Sequence, residues 1–165
     1  MGNSAIRDAV GDLYSASYAR LVGVVALVAE GRAEAEECVQ EAFVRLLGRW
    51  EHVSRLDSPE VWVRTVAIRL VSNRRREARS ALRALLRHGP PVDESPPGTD
   101  RVELTWALRR LPVGQRQVVV MHHLLGYGVD QIAESLDVAP GTVKSRLSRA
   151  RSALAELLRE EVRNV

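Results

Sequence analysis

Residues 129–154 read VDQIAESLDVAPGTVKSRLSRARSAL and combine two amphipathic helical segments with a short turn between them. In the first segment Ile132, Ala133 and Leu136 recur at the spacing of one helix face. The second segment keeps the same spacing along one side, through Val143, Leu147, Ala150, Leu154 and Leu157. Two helices joined by a tight turn, the second of them strongly basic, predict a helix-turn-helix.

The second of these helices places long cations and short serines opposite its apolar stripe. On a helical wheel, the outward side chains that could enter a DNA major groove are Lys144, Ser145, Ser148, Arg149 and Ser152. Arg146 and Arg151 flank them within reach of phosphates, and Thr142 at the helix start offers a further phosphate site. Cations of this kind contact guanine edges. The pattern indicates DNA binding, and the alternative is a basic helix that only caps a small bundle.

The composition of the whole chain favours helices. Its 165 residues are 45% hydrophobic and 4% aromatic, and apolar alternation of period two never runs for long. No apolar run approaches the ~20 residues of a membrane span, and the first ten residues do not resemble a signal peptide, so we expect a cytoplasmic protein. A single cysteine, Cys38, and scattered histidines give no zinc-ligand spacing, and we expect neither a metal nor another cofactor.

A proline-rich segment divides the chain. Residues 89–100 read GPPVDESPPGTD and hold four of the seven prolines, a composition typical of an extended linker. We therefore predict an all-α protein of two small helical domains, residues 5–88 and 101–162, joined by a flexible Pro-rich linker at 89–100. The helix-turn-helix belongs to the second domain.

Two helices are predicted within the first domain. The first has an apolar stripe at steps of three and four, made of Ala35, Val39, Ala42, Phe43, Leu46, Leu47 and Trp50. Its opposite face shows Glu37, Gln40, Glu41 and Arg45. The second helix opens with Ser58 as N-cap, Pro59 at the first helical position and Glu60 where it complements the helix dipole. Its apolar face runs through Trp62, Val63, Val66, Ala67, Leu70 and Val71.

The second helix is also strongly basic. From Arg64 to Arg87 eight arginines accompany one acid, Glu77. The face opposite the apolar residues collects Arg64, Thr65, Ile68, Arg69, Ser72, Asn73, Arg75 and Arg76. A solvated surface is the simplest explanation of a charged face, but here nearly all the charges share one sign, so their repulsion is unrelieved unless an anion binds. For this segment alone, solvent and nucleic acid both stay open.

Taken together, the two halves resemble bacterial RNA polymerase sigma factors of the extracytoplasmic-function (ECF) type, which keep only conserved regions two and four. AEAEECVQEAFVRLLGRW, residues 33–50, resembles the polymerase-binding helix of that family, and SPEVWVRTVAIRLVSNRRRE, residues 58–77, its promoter-melting and minus-ten-element helix. Residues 111–151 resemble region four, with GTVKSRLSRAR as the most specific signature. The resemblance covers nearly the whole chain.

The resemblance implies a dissociable initiation factor that binds core RNA polymerase, directs it to promoters and helps to open the duplex. Polymerase binding would fall to Glu37, Gln40, Glu41 and Arg45. The opened minus-ten strand would meet Arg64, Ile68, Arg69, Ser72, Asn73, Arg75 and Arg76. The minus-thirty-five element would be read or held by Thr142, Lys144, Ser145, Arg146, Ser148, Arg149 and Arg151. The family is typically held inactive by an anti-sigma factor, which makes such a partner an expectation here too.

The chain departs from the family pattern in three places, which together involve four residues. Glu37 and Cys38 stand where Asp-Leu is usual, and Gln131 replaces a Glu. Arg69 stands where an Asn commonly helps to capture a flipped base, so the resemblance leaves the minus-ten preference of this chain open.

Other classes of protein account for less of the sequence. A stand-alone operator-binding regulator would need only the second half and usually a dimer, and it is the alternative we keep. An enzyme acting on nucleic acid would need zinc ligands or clustered carboxylates, which the sequence does not gather. A helical interaction protein that never touches DNA would leave the arginine-rich faces unexplained. We therefore expect no catalytic residues and no small-molecule substrate.

Overall fold

The computed structural model describes residues 2–85 and 103–163, and within these two ranges every regular element is a helix. The prediction of an all-α fold is thus confirmed. The helices are α1 Asn3–Val25, α2 Arg32–Leu47, α3 Trp50–Val53, α4 Pro59–Leu85, α5 Glu103–Arg110, α6 Val113–Val119, α7 Val129–Leu136 and α8 Pro140–Arg163. The predicted linker at 89–100 lies outside the described residues. The chain forms two compact units that divide between Arg74 and Arg75.

The first unit is built on the packing of α1 along α2. Tyr14 of α1 stacks on Tyr18 with ring centroids 4.6 Å apart and meets the edge of Phe43 in α2 at 4.9 Å. Around these rings the core collects side chains that α1, α2 and α4 bury to below a tenth of their surface, and they include Leu21, Val22, Val25, Ala35, Cys38, Val39, Ala42, Leu46, Val63, Ala67, Leu70 and Val71. Burial of this much apolar surface is the main stabilisation of the unit.

Helix α4 begins as predicted from its capping signals. Pro59 is its first residue, and the Ser58 hydroxyl accepts a long hydrogen bond of 3.4 Å from the Val61 N–H. Glu60, in the first turn, accepts two hydrogen bonds from the Arg20 guanidinium of α1, at 2.9 and 2.6 Å. This bidentate pair joins the start of α4 to α1 and lowers the pKa of Glu60, chiefly through the hydrogen bond from Arg20.

Three apolar residues of the first unit do not lie where the sequence pattern predicted them: Ile68, Leu47, and Trp50, which begins the separate helix α3 instead of extending α2. Ile68 has no exposed surface and lies in the core, so its assignment to the outward cationic face of α4 is wrong. The buried side of α4 covers a wider arc of the helix than the predicted apolar stripe, and Ile68 lies within that arc. Leu47, predicted in the α2 stripe, is 43% exposed at the last residue of that helix.

In the second unit α6 and α7 pack against α8. Helix α6 does not continue as a regular α-helix, because at Val120 it passes into a π-helical turn that ends at Leu124. Beyond the turn the Tyr127 N–H donates to the Met121 carbonyl oxygen at 2.9 Å. The His122 Nδ1 lies 2.9 Å from the Tyr127 carbonyl oxygen, a contact that requires the proton on Nδ1.

The helix-turn-helix is formed by α7, residues 137–139 and α8. Ile132, Ala133 and Leu136 of α7 are buried together with Val143, Leu147 and Ala150 of α8, as the spacing predicted. Asp137 closes α7 in the left-handed region with φ 53°, a conformation that Asp tolerates better than most residues. The Val138 N–H then donates to the Ala133 carbonyl oxygen at 3.0 Å, which caps the helix before α8 starts at Pro140.

Candidate nucleic-acid and protein interfaces

The outward face of α8 presents the residue types that a DNA groove requires. Lys144, Ser145, Ser148 and Arg149 are exposed on the side opposite the buried stripe, and Arg151 is exposed beside them. The Ser145 hydroxyl donates to the Thr142 carbonyl oxygen at 3.0 Å, so it lies flat against the first turn of the helix. The face therefore combines exposed cations with short serine side chains that leave room for a DNA groove to approach.

Arg146 differs from the other cations of α8 in its burial and its contacts. It is half-buried, unlike the neighbouring cations, and its guanidinium lies over Gly114 at the start of α6. A Cβ added to Gly114 would be 3.1 Å from Arg146 Cζ, closer than such atoms usually approach. The absence of a side chain at Gly114 thus gives Arg146 its place at the edge of the outward face.

Only part of the predicted cationic face of α4 is fully exposed in the structure. Of the residues predicted to meet DNA, Arg69 and Arg76 are exposed, whereas Arg64, Ser72, Asn73 and Arg75 are half-buried. Partial burial leaves the arginine stems packed on the helix bundle while their charged ends can reach the surface. With Ile68 removed, the face consists entirely of polar and charged side chains.

The acidic face of α2 contacts an arginine that the sequence pattern did not single out. Arg74 of α4 donates to Glu37 at 2.8 Å and to Glu41 at 3.4 Å, and Glu41 is also paired with Arg45 at 2.5 Å. Partial burial acts to lower the pKa of Arg74, and the hydrogen bond to Glu37 with the nearby carboxylates outweighs it, so this pKa is raised. Two acids and two cations form one network on this surface.

Gln40 is held next to this network by α1. Its Nε2 donates to the Tyr18 hydroxyl at 3.3 Å, and the Tyr18 ring is stacked on Tyr14. Val44, one turn further along α2, is 67% exposed, and so is a large part of Leu47. Glu37, Gln40, Glu41, Val44 and Leu47 therefore form a continuous mixed surface, which we call the α2 face. The two exposed apolar residues were not predicted as part of it.

A cleft of about 580 Å³ lies between the end of α2 and the middle of α4. Its α2 side is formed by Val44, Arg45 and Gly48, followed by Arg49. Its α4 side is formed by Trp62, Val66, Arg69, Leu70 and Asn73. These nine residues include three arginines and no carboxylate, so the cleft combines an apolar floor with a positive rim.

The described residues show no sign of a reactive cysteine or of a metal site. Burial raises the pKa of the Cys38 thiol to about 11, far above the range of reactive cysteines. In the described ranges, no three His, Cys, Asp or Glu side chains lie together as metal ligands would. Within these same ranges no helix has both the length and the apolar character of a membrane span.

Comparisons with known proteins match both halves of the chain. The family model for sigma-70 region 2 matches residues 13–81, and the one for sigma-70, region 4 matches residues 101–154. The chain is 31% identical over 156 residues to the ECF RNA polymerase sigma factor SigM of Mycobacterium tuberculosis, covering 92% of this chain and 78% of that protein. It is 33% identical over 138 residues to SigL of the same species, covering 78% of this chain and 76% of SigL.

Two solved structures share the fold. One is the sigma factor RpoE in complex with the anti-sigma factor NepR from Bartonella quintana, with a TM-score of 0.63 at 20% identity over 90% of this chain and 96% of that one. The other is CnrH in complex with the cytosolic domain of CnrY, with a TM-score of 0.55 at 21% identity over 96% and 92% of the two chains.

Proposed function

The chain belongs to the ECF RNA polymerase sigma factors, transcription initiation factors that direct core RNA polymerase to promoters, and we propose how its surfaces divide that work. One surface binds the polymerase, one holds the opened minus-ten strand and one reads the minus-thirty-five element. The chain itself catalyses no reaction and needs no cofactor or small-molecule substrate, since RNA synthesis belongs to the core enzyme. Its place of action is the cytoplasm, where polymerase and DNA meet.

The outward face of α8 is proposed to read the minus-thirty-five element in the major groove. Lys144, Ser145, Ser148 and Arg149 would contact base edges, because they are exposed on one side of a helix whose other side is fixed in the core. Thr142, Arg146 and Arg151 would contact phosphates on the two walls of the groove. Sequence preference would then depend on the first group, and overall affinity on the second.

The cationic face of α4 is proposed to hold the opened minus-ten strand. Arg64, Arg69, Arg75 and Arg76 supply the charge that a phosphate backbone requires, and Ser72 and Asn73 supply hydrogen-bonding groups. Ile68 is no longer included, because it has no exposed surface. A single strand is the better ligand for this face, since unpaired bases can enter the adjacent cleft and paired bases cannot.

The α2 face is proposed to bind the core polymerase. Gln40 and Glu41 offer hydrogen-bonding groups there, Glu37 lies one turn earlier, and Val44 adds apolar surface, while Arg45 is exposed beside this face and pairs with Glu41. Polar groups around an exposed apolar patch are typical of a protein interface. Because the acids are already paired with Arg74 and Arg45, contact with the polymerase would rest on shape and hydrogen bonds more than on net charge.

Domain boundaries and a further partner complete the proposal. We place the polymerase and minus-ten functions in residues 5–88, the upstream function in residues 101–162, and a linker at 89–100.

We also propose an anti-sigma partner, because the RpoE and CnrH structures with the same fold are complexes, and the RpoE partner is described as an anti-sigma factor. Such a partner would cover the basic or α2 surfaces and prevent initiation.

The proposal is supported above all by the combination of three surfaces in one chain. These are the arginine-rich face of α4, the exposed lysine, serine and arginine face of α8, and the α2 face. The test is to mix the purified protein with bacterial core RNA polymerase, separate the mixture on a sizing column and transcribe a pool of randomised promoters. Co-elution and new initiation are expected. Failure to associate, together with sequence-specific duplex binding by the protein alone, would instead favour an operator-binding regulator.

A further inference from the structure

Glu41 of the α2 face is held by two arginines of the same unit. Its Oε1 accepts a hydrogen bond from Arg45 at 2.5 Å, and its Oε2 accepts one from Arg74 at 3.4 Å. The Glu41 side chain is nevertheless 38% exposed, so a partner that docks on the α2 face can reach the same carboxylate. Any donor that the partner directs at Glu41 then shares its negative charge with the two arginines and weakens its hold on both.

Arg45 is also part of the lining of the cleft of about 580 Å³ beside α4. Its ion pair with Glu41 connects two residues one turn apart on α2, and its side chain is 51% exposed. Three arginines line the cleft, yet the charge of this one is offset by a carboxylate outside the lining. The cleft of the free protein therefore attracts a phosphate less strongly than its lining alone suggests.

Arg74 is a further cation whose charge is directed away from the cleft. It directly follows Asn73, which lines the α4 side, but its guanidinium donates to Glu37 at 2.8 Å and to Glu41 at 3.4 Å. The Arg74 side chain is 35% exposed, and the long stem of an arginine lets its charged end turn elsewhere once an acid no longer holds it. Glu41 therefore restrains two cations beside the cleft at once.

A purely structural role explains only part of this network. The pairs of Arg74 join α4 to α2 and so help to hold the two helices together. The pair of Glu41 with Arg45 lies within one helix and joins no two elements, and exposed pairs of this kind add little to stability. What Arg45 and Arg74 share is a position beside the cleft, where the phosphate backbone of a strand would need positive charge.

We propose that Glu41 restrains Arg45 and Arg74 in the free protein and that a polymerase contact at Glu41 releases both arginines to phosphates of the opened strand. Glu41 is then a positioning residue that couples the α2 face to the cleft. Because such coupling is reciprocal, a bound strand also strengthens polymerase binding. The inference rests on the proposed function, which assigns the α2 face to the polymerase and α4 to the strand, and it adds the residue through which the two surfaces communicate.

The first test uses the whole protein without polymerase and a fluorescent single-stranded oligonucleotide, with binding followed by anisotropy. Glu41→Gln keeps the shape of the side chain and removes its charge. It should strengthen binding about fivefold, the lower end of known couplings between sites, because both ion pairs are partly exposed. The salt dependence of binding should steepen as well, by a slope of about 0.7 for each arginine that reaches a phosphate.

Glu36→Gln is the matched control. Glu36 lies on the same helix, is paired with an arginine four residues away and has the same exposed fraction of 38%, but its partner Arg32 does not line the cleft. Removal of this charge should strengthen oligonucleotide binding by less than about twofold, since an exposed charge further from the ligand is screened by salt. Equal gains in the two variants would overturn the proposal, because they would show that only the net charge matters.

The gain from Glu41→Gln should also depend on the two arginines. In a protein that already carries Arg45→Gln and Arg74→Gln, the gain should fall to the level of the control, and Arg45→Gln alone, which keeps the contacts of Arg74, should remove part of it. A gain that persists in both backgrounds overturns the proposal. So does a lower melting temperature of Glu41→Gln with no change in oligonucleotide affinity or salt dependence, which is the result that a purely structural network predicts.

The second test repeats the measurement with saturating core polymerase. The unmodified protein and Glu41→Gln should then bind the strand equally, because the polymerase releases the arginines in one and the substitution releases them in the other. An advantage of Glu41→Gln that survives in a complex able to initiate transcription refutes the coupling and leaves the proposed function intact. Failure to assemble on the sizing column refutes the proposed function together with the release step, while the measurements without polymerase still decide whether Glu41 restrains the two arginines.

Discussion

Arg74 of α4 and Glu37 of α2 form an ion pair of 2.8 Å between residues 37 positions apart, and the same guanidinium reaches Glu41 at 3.4 Å. The pair joins the helix that we assign to DNA with the helix that we assign to the polymerase. Together with Arg45, Arg74 offsets the two negative charges that the α2 face would otherwise show to a partner. The surface is therefore acidic in sequence and nearly balanced in structure.

Removing Arg74 should destabilise the first unit. Arg74→Gln leaves Glu37 and Glu41, one helical turn apart, to repel each other, and we expect a loss of ~1 kcal/mol because the Arg74 side chain is still 35% exposed. Urea unfolding followed by circular dichroism measures the change. Arg32→Gln, which breaks an exposed pair within α2, is the control and should cost less. Equal losses in both variants would show that the network adds nothing to an ordinary surface pair.

The α2 face gives a prediction for assembly with the polymerase. Replacing Gln40 and Glu41 together by alanine should weaken binding to core polymerase by ~10-fold or more, since groups at the centre of an interface cost over 1 kcal/mol when truncated. Binding of a minus-thirty-five duplex by the α8 face should be unchanged. A titration with labelled core polymerase measures the first quantity. Unaltered assembly would show that the polymerase contact lies elsewhere.

Glu60 predicts a dependence of stability on pH. Its pKa is lowered in the folded protein, mainly by the hydrogen bond from Arg20, so the pair stabilises the fold above the unfolded pKa of about 4.3 and loses this effect as the pH falls through the lower folded pKa. The effect should be small, because Arg20 is 61% exposed. Glu60→Gln should lower the melting temperature near neutral pH and match the unmodified protein in acid.

The matched control for Glu60 is Glu51→Gln, an exposed carboxyl in α3. Thermal unfolding at a series of pH values compares the three proteins. A difference between Glu60→Gln and the unmodified protein that stays constant down to pH 3 would contradict the assignment of the lowered pKa to the Arg20 pair.

Cys38 should resist thiol reagents in the folded protein. It has no exposed surface, and burial raises its pKa to about 11, so only ~0.1% of the thiol is ionised at pH 8. Reaction with an aromatic disulfide reagent should be at least 100-fold slower in buffer than in denaturant. Rapid stoichiometric modification of the native protein would mean that α2 opens readily from the core.

Substitutions on the outward face of α8 should distinguish residues that contact bases from residues that contact phosphates. Lys144→Ala and Arg149→Ala should each cost ~1 to 3 kcal/mol on the preferred upstream element and relax the preference at one position. Arg146→Ala should weaken binding more evenly across sequences, because its guanidinium lies at the edge of the face over Gly114. Arg159→Ala, exposed further along α8, is the control. Unchanged promoter choice in both of the first variants would remove α8 from sequence reading.

Local signals in the sequence were enough to place the helix-turn-helix. The segment VDQIAESL was predicted as one helix, and α7 spans Val129–Leu136, because Gly128 and Asp137 terminate it on both sides. The N-cap at Ser58 and the start of α4 at Pro59 were likewise set by neighbours within three residues. Helix boundaries that are set by residues a few positions away can therefore be predicted from the sequence.

Features that depend on distant contacts were missed. Arg74 contacts α2, whereas Arg76 in the same run of arginines pairs with Asp137, and no periodicity in the sequence indicates which arginine contacts Glu37. Ile68 was placed by its angle on a wheel, although the buried side of α4 is wide enough to include it.

The burial of Cys38 has a practical consequence for spectroscopy. The sequence contains this one cysteine, and its thiol is shielded, so a second cysteine introduced on the surface would be the only site that a maleimide dye modifies. Ser152, exposed on α8, is suited to this purpose because it lies beside the cations that we assign to DNA. A fluorophore there would report promoter engagement in real time without replacing any residue of the core.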